Sequence, residues 1–265
     1  MTGHRRLSFA ALVLLLTMLV LPAQASAAAA CTAARALTLW RATASRLHDL
    51  LGEPIPLPPR IIIYRKAQEL REAQGLPHRE PGLAVIGSYR WKGRKIRVSC
   101  SNGAASVFDT TVRHESTHYF LHRWIKRIPR WLDEGLATTM EAGSLKKGAL
   151  ADHVNEPRRR EFVEMLKFGL VPRLADVMDG KPLALTPSQE YATYWSLAFT
   201  LLYNAHPKVE ERRRLLLRHL LATAADSRGN PDRAVERVFF DYIGRDGRDP
   251  HDWEMRWHRE IWALR

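Results

Sequence analysis

The sequence predicts an α+β fold: a small sheet confined to the first half of the chain, followed by a helical remainder. Three observations carry this. Runs of strand character lie only between Arg60 and Cys100. From Ser106 onward, nearly every segment repeats its apolar residues at helical period. At the junction stands Arg113-His114-Glu115-Ser116-Thr117-His118-Tyr119, with Trp131-Leu132-Asp133-Glu134-Gly135 shortly after.

Residues 1–27 read as a secretory signal. His4, Arg5 and Arg6 give a basic start, 7–21 is almost continuously apolar, and Ala25-Ser26-Ala27 offers a small-residue cleavage site. The apolar run is short of the about 20 residues that a membrane span needs; a retained anchor is the alternative. Cleavage near Ala27 leaves residues 28–265 as one exported domain, periplasmic or secreted, large enough for a sizeable core. The two cysteines, Cys31 and Cys100, form no C-x-x-C pair, which argues against a zinc-thiolate site. In an exported chain they are expected to pair, closing a loop of roughly 70 residues. A competing reading makes Ala28-Ala29-Ala30-Cys31 a lipidation site, although it lacks the usual Leu three residues before the cysteine.

Residues 32–51 read as a helix, stopped by the proline-rich stretch 52–59. Ile61-Ile62-Ile63 marks a buried strand over 60–64, and 68–73 a short helix. Residues 87–91 and 95–100 read as a hairpin around Lys92-Gly93-Arg94, with Lys95, Arg97 and Ser99 alternating on one side. Ser106-Val107-Phe108-Asp109 has the form of a capping box, so a helix is expected from Ser106. Pro129 suits the start of the next helix and Gly143 its end. The charged stretch 146–160 reads as a loop over the cleft or a solvated helix. Thr186-Pro187-Ser188-Gln189 is a second capping box, opening a helix to about Tyr203. Three more helices follow over 207–224, 230–243 and 249–264, with Trp253, Trp257 and Ile261 in the core.

The H-E-x-x-H spacing carries the chemistry. On a helix, i and i+4 lie one above the other, about 6 Å apart, so the imidazoles of His114 and His118 can share one metal ion. Glu115 projects roughly 100° away, toward the open side of such a metal. Val107, Thr111, His114, His118 and Leu121 fall on one stripe. A zinc held by two His, a third ligand and a water is the usual catalytic pattern. His122 lies too far along the axis from His114, about 12 Å, to share that metal.

Trp131-Leu132-Asp133-Glu134-Gly135-Leu136-Ala137-Thr138 resembles the W-L-x-E-G-x-A-[ST] segment of gluzincin metallopeptidases, the aminopeptidase N-like and smaller peptidase-MA-like enzymes. The resemblance implies that Glu134 is the third zinc ligand. It implies a zincin-like fold: a small mixed β-sheet and the active-site helix in an upper lobe, 28–143, and a mostly helical lobe, 144–265. It also implies an oxyanion-stabilising tyrosine, for which Tyr191 aligns best and Tyr194 is the reserve. In such enzymes the strand before the metal helix edges the cleft, where a substrate backbone can add. The metzincin pattern does not fit, because Leu121 and Trp124 stand where Gly and His are required. The G-x-M-E-N segment that holds a free amine in the aminopeptidases is missing, and Thr138 stands where thermolysin-type enzymes carry a histidine-orienting Asp.

Motif and resemblance together imply an exported zinc-dependent metallopeptidase, an endopeptidase or processing enzyme, acting on peptides or proteins with Glu115 as general base. The rival expectation is a gluzincin-scaffold binding module for peptides or cell-wall fragments, with little turnover. The formal charge of +13 falls to +11 without the signal. That balance allows weak association with an anionic membrane or cell-wall surface, but a solvated basic surface accounts for it. No nucleic-acid motif accompanies it, and the sequence carries no sign of oligomeric state.

Overall fold

The computed structural model describes residues 31–75, 87–90, 94–100, 105–204, 206–245 and 249–264. The signal over 1–27, the alanines at 28–30 and the hairpin tip at 91–93 lie outside these. The first helix, α1 (Ala33–Leu51), begins where the Thr32 hydroxyl accepts the Arg35 N–H at 3.1 Å. It ends at Gly52, whose φ of 81° is the left-handed cap that glycine adopts without strain. Its buried face includes Leu39, Trp40, Leu47 and Leu50.

Three strands form the main sheet: β1 (Arg60–Tyr64), β2 (Gly87–Arg90) and β3 (Lys95–Ser99), in the order β1-β3-β2. β1 runs parallel to β3 and β2 antiparallel to it, so the sheet is mixed. Helix α2 (Ala67–Gln74) follows β1. Two sequence expectations change here. β1 is only half-buried, because it is an edge strand. β3, the strand before the H-E-x-x-H helix, has a partner on both sides, so its backbone offers no edge. Among the described strands the free edge near that helix belongs to β2. Lys95, Arg97 and Ser99 line no cleft: Arg97 lies opposite Ser88, whose hydroxyl accepts the Gln74 side-chain N–H from α2. Directly opposed residues share a face of the sheet, so this face looks toward α2.

A disulfide joins Cys31, beside the start of α1, to Cys100, just past β3. Closing a loop of 69 residues contributes about 4 kcal/mol in the chain-entropy model. Next to it, the Arg35 guanidinium grips Asp109 through two bonds of 2.7 and 2.6 Å. Those bonds explain why the expected capping box does not form. The helix α3 (Ala105–Leu121) already includes Ser106, and the Asp109 carboxylate serves a tertiary contact.

α3 is buried nearly all round its last three turns, because α1, α4, β2 and β3 all touch it. The helix α4 (Arg130–Glu141) starts after Pro129, and Gly143 follows its last turn, tight against Leu150. Arg113 of α3 reaches across to the Met140 and Glu141 carbonyls, capping the C-terminus of α4 with a buried guanidinium. The stretch after α4 is a hairpin rather than a loop or solvated helix. β4 (Ser144–Lys146) pairs with β5 (Ala149–Ala151) through Lys147 and Gly148, both at positive φ, and helix α5 (Glu156–Lys167) begins only afterwards. Two central residues at positive φ make the primed turn that matches strand twist.

The remainder is helical: α6 (Leu174–Met178), α7 (Pro187–Leu202), α8 (Pro207–Asp226), α9 (Pro231–Arg245) and α10 (Pro250–Ala263). The Thr186–Gln189 capping box is present, and Asn230 and Asp249 accept the N–H groups of Asp232 and His251 before their prolines. Trp253, Trp257 and Ile261 are buried as expected. One apolar cluster runs from Ala36 in α1 to Ile261 in α10. No helix among the described residues is long and apolar enough to cross a membrane.

Candidate metal centre

His114 and His118, one turn apart on α3, bring their Nε2 atoms within 3.0 Å of each other. Glu134, in the first turn and a half of α4, brings its Oε2 to 3.4 Å from the first and 3.5 Å from the second. Local sequence explains the convergence. The i, i+4 spacing stacks the imidazoles, and the contact of α4 with α3 delivers the carboxylate.

Each imidazole is oriented from behind. His114 Nδ1 donates to Glu141 Oε1 at 2.8 Å, and His118 Nδ1 donates to Asp133 Oδ1 at 2.8 Å. A carboxylate can only accept, so both Nδ1 atoms carry the hydrogen and both Nε2 atoms of the neutral rings present lone pairs. With the rings neutral, three electron-pair donors therefore meet, and Glu134 Oε2 is buried without a hydrogen-bond partner. Such a cluster fits a cation. A tetrahedral zinc with bonds of about 2.1 Å would separate its ligand atoms by about 3.4 Å, close to the observed triangle.

Without a metal ion, protons supply the charge. Burial works to lower the His114 pKa, but Glu134 and Glu141 overcome it and raise it to about 9. His118 is raised too, against burial, by Asp133 and then Glu134. Burial would raise the Glu134 carboxyl, yet His114 and His118 hold it down at about 2. Asp133 is likewise held low by His118 and His122 despite its burial.

Glu115 is buried beside the cluster. Burial raises its pKa, with His114 and His118 offsetting part of the shift. Its carboxylate lies against β2: a Cβ added at Gly87 would come within 2.8 Å of Glu115 Oε1 and 2.3 Å of Thr111 Cγ2. Only glycine lets the strand pass that close.

Tyr191 of α7 faces the cluster, its ring 6.3 Å from that of His114. Burial first, then the charge of Glu134, raises its pKa, so the hydroxyl keeps its proton. Tyr194 instead sits under Arg130, whose guanidinium carbon is 5.9 Å from its ring. The approach of α7 depends on Gly135, next to Glu134: a Cβ there would meet the Tyr194 carbonyl oxygen at 2.4 Å.

The structure adds residues that sequence reasoning left without a role. Glu141 orients His114 from two turns beyond Glu134, in place of the position occupied by Thr138. Asn155, buried just ahead of α5, donates to Glu141 Oε2 at 3.2 Å and to the Thr138 carbonyl at 2.9 Å. Asp133 also accepts from His122 Nε2 at 3.0 Å, and the His122 ring stacks on Tyr89 of β2. His118, His122 and Asp133 form a second His–carboxylate group. Its contacts are satisfied hydrogen bonds, so it reads as a support for His118 and not as another metal site. The i, i+7 spacing of Glu134 and Glu141 was a visible signal, since it puts both on one face of α4.

One family model, described as a protein of unknown function (DUF1570), matches residues 109–211. The matched segment takes in every member of this cluster, from His114 to Tyr191. No curated protein and no solved structure matches the chain.

Proposed function

We propose that the chain is an exported zinc-dependent peptidase with a zincin-like, gluzincin-type centre. The observation that carries this reading is the meeting of His114 Nε2, His118 Nε2 and Glu134 Oε2, 3.0 to 3.5 Å apart, with both Nδ1 atoms held by carboxylates. Zinc held by these three atoms would supply Lewis acidity, acidifying a water and polarising a scissile carbonyl.

The chain's own residues then divide the work. Glu115 takes a proton from the attacking water and delivers it to the leaving amine. Its raised pKa suits both directions of that transfer. Tyr191, holding its proton, donates a hydrogen bond to the oxygen on which charge develops. Asp133 and Glu141 keep the two imidazoles in the tautomer that ligates. The edge that β2 leaves free among the described strands, with Gly87 flush against Glu115, suits an extended peptide backbone laid alongside.

The test is a matched comparison of wild type and Glu115→Gln, loaded with zinc and given a broad peptide library with and without a chelator. Zinc content should be equal, and cleavage by the variant should drop ~10²–10⁴-fold. Equal cleavage by both would remove H-E-x-x-H as the catalytic centre. Zinc and peptide binding by both, with cleavage by neither, would replace the enzyme with a binding module.

A further inference from the structure

Three successive arginines open α5, and they are not equivalent. Arg159 makes two bonds to Glu156, at 2.7 and 2.8 Å, and Arg160 shares the same carboxylate at 3.2 Å. Arg158 is left over. Its guanidinium carbon lies 5.3 Å from the centre of the Tyr191 ring, and Nη1 is 3.5 Å from the Ser188 hydroxyl. It has no carboxylate partner among the described residues. Nearby Arg130 is already neutralised, by Glu190 Oε2 at 2.9 Å. Arg158 is thus an unspent, half-buried cation on the α7 side of the centre, braced by a ring that itself stands 6.3 Å from His114.

A guanidinium in that setting has a preferred guest. Its planar fork matches a carboxylate, and stacking on an aromatic face fixes the plane of the fork in advance. The cluster behind it is rich in carboxylates, namely Glu115, Asp133, Glu134 and Glu141. A second anion drawn toward it therefore needs its own counter-charge. Resting on the peptidase reading above, we infer that Arg158 selects peptides presenting a carboxylate next to the scissile bond. Two sources share that chemistry: an Asp or Glu side chain, and the C-terminal carboxylate itself.

Binding can test this apart from turnover. The probes are mercaptoacyl dipeptides, whose thiolate would ligate zinc directly. One arm compares a dipeptide with a free C-terminal carboxylate against its carboxamide; the other compares an Asp-containing amide against its Asn twin. Zinc content and probe affinity are measured on the same samples of wild type, Arg158→Gln and Arg158→Lys. In at least one arm, wild type should bind the carboxylate probe about tenfold or more tightly than its neutral twin, the order expected of a charge-assisted pair. Arg158→Gln should erase that preference and bind neutral twins within about twofold of wild type, and Arg158→Lys should keep part of it. The responding arm identifies the source of the carboxylate. Equal binding of the twins in both arms by zinc-loaded wild type would overturn the inference, as would a preference surviving in Arg158→Gln. Equal weakening of charged and neutral probes in Arg158→Gln would overturn it as well, making Arg158 a brace for Tyr191 only. Wild type that holds no zinc after loading would instead remove the metal reading, and this inference with it.

Discussion

Two clusters of buried charge sit at opposite ends of α7, and they are built in opposite ways. Near its C-terminal end, Arg213 of α8 meets Glu260 of α10 through contacts of 2.5 and 2.8 Å and also donates to the Thr200 carbonyl at 3.1 Å. Charges are matched and donors face acceptors. Near its N-terminal end, beside Tyr191, two imidazole nitrogens and a carboxylate oxygen crowd together across 3.0 to 3.5 Å. The first cluster is complete within the chain. The second is arranged so that a cation would complete it. On the proposed reading, burying charge serves cohesion at one end and capture at the other, and hydrogen-bond bookkeeping tells them apart.

The largest effect expected is on metal binding. Glu134→Ala leaves two histidines, too few to hold zinc at catalytic affinity. Metal content after dialysis should fall to background, while the helices persist. Full zinc retention would shift the third ligand elsewhere.

The matching cut at the other end should behave in reverse. Arg213→Ala leaves Glu260 without its buried partner and should cost about 3 kcal/mol in denaturant unfolding, with zinc content unchanged. A cost near zero would mean that the pair is decoration, and the contrast would lose one side.

The smallest effect falls on the carboxylate behind His114. Glu141→Ala leaves all three ligand atoms but frees His114 Nδ1, and zinc affinity should weaken about 10–100-fold. Competition with a calibrated chelator would measure it. An unchanged affinity would show that Glu141 does not orient the imidazole.

What the sequence disclosed follows from how local each feature is. His114, Glu115 and His118 are legible because helix geometry alone brings them together. Glu134 required a second motif, and Tyr191 required a resemblance, because their approach depends on helix packing around Gly135. Asp109 misled as a cap because its partner, Arg35, is 74 residues away. β3 misled as an edge because its second partner, β1, pairs in parallel from across α2, and no short-range pattern reveals that. Asn155 was out of reach: it returns to Glu141 only after the unforeseen β4–β5 hairpin. The disulfide was open between pairing and lipidation until Cys31 and Cys100 met in space.

The contact at Gly87 makes the position of a carboxylate a matter of counting. Gly87 lies opposite Val98 and Tyr89 opposite Ile96, and the same pairing seats the Tyr89 ring between Tyr119 and His122. A slip of one residue would turn Tyr89 to the other face and bring the Ser88 side chain to where no Cβ fits. Only one alignment of the hairpin leaves Glu115 room, so the sheet works as a gauge against which the H-E-x-x-H helix is set.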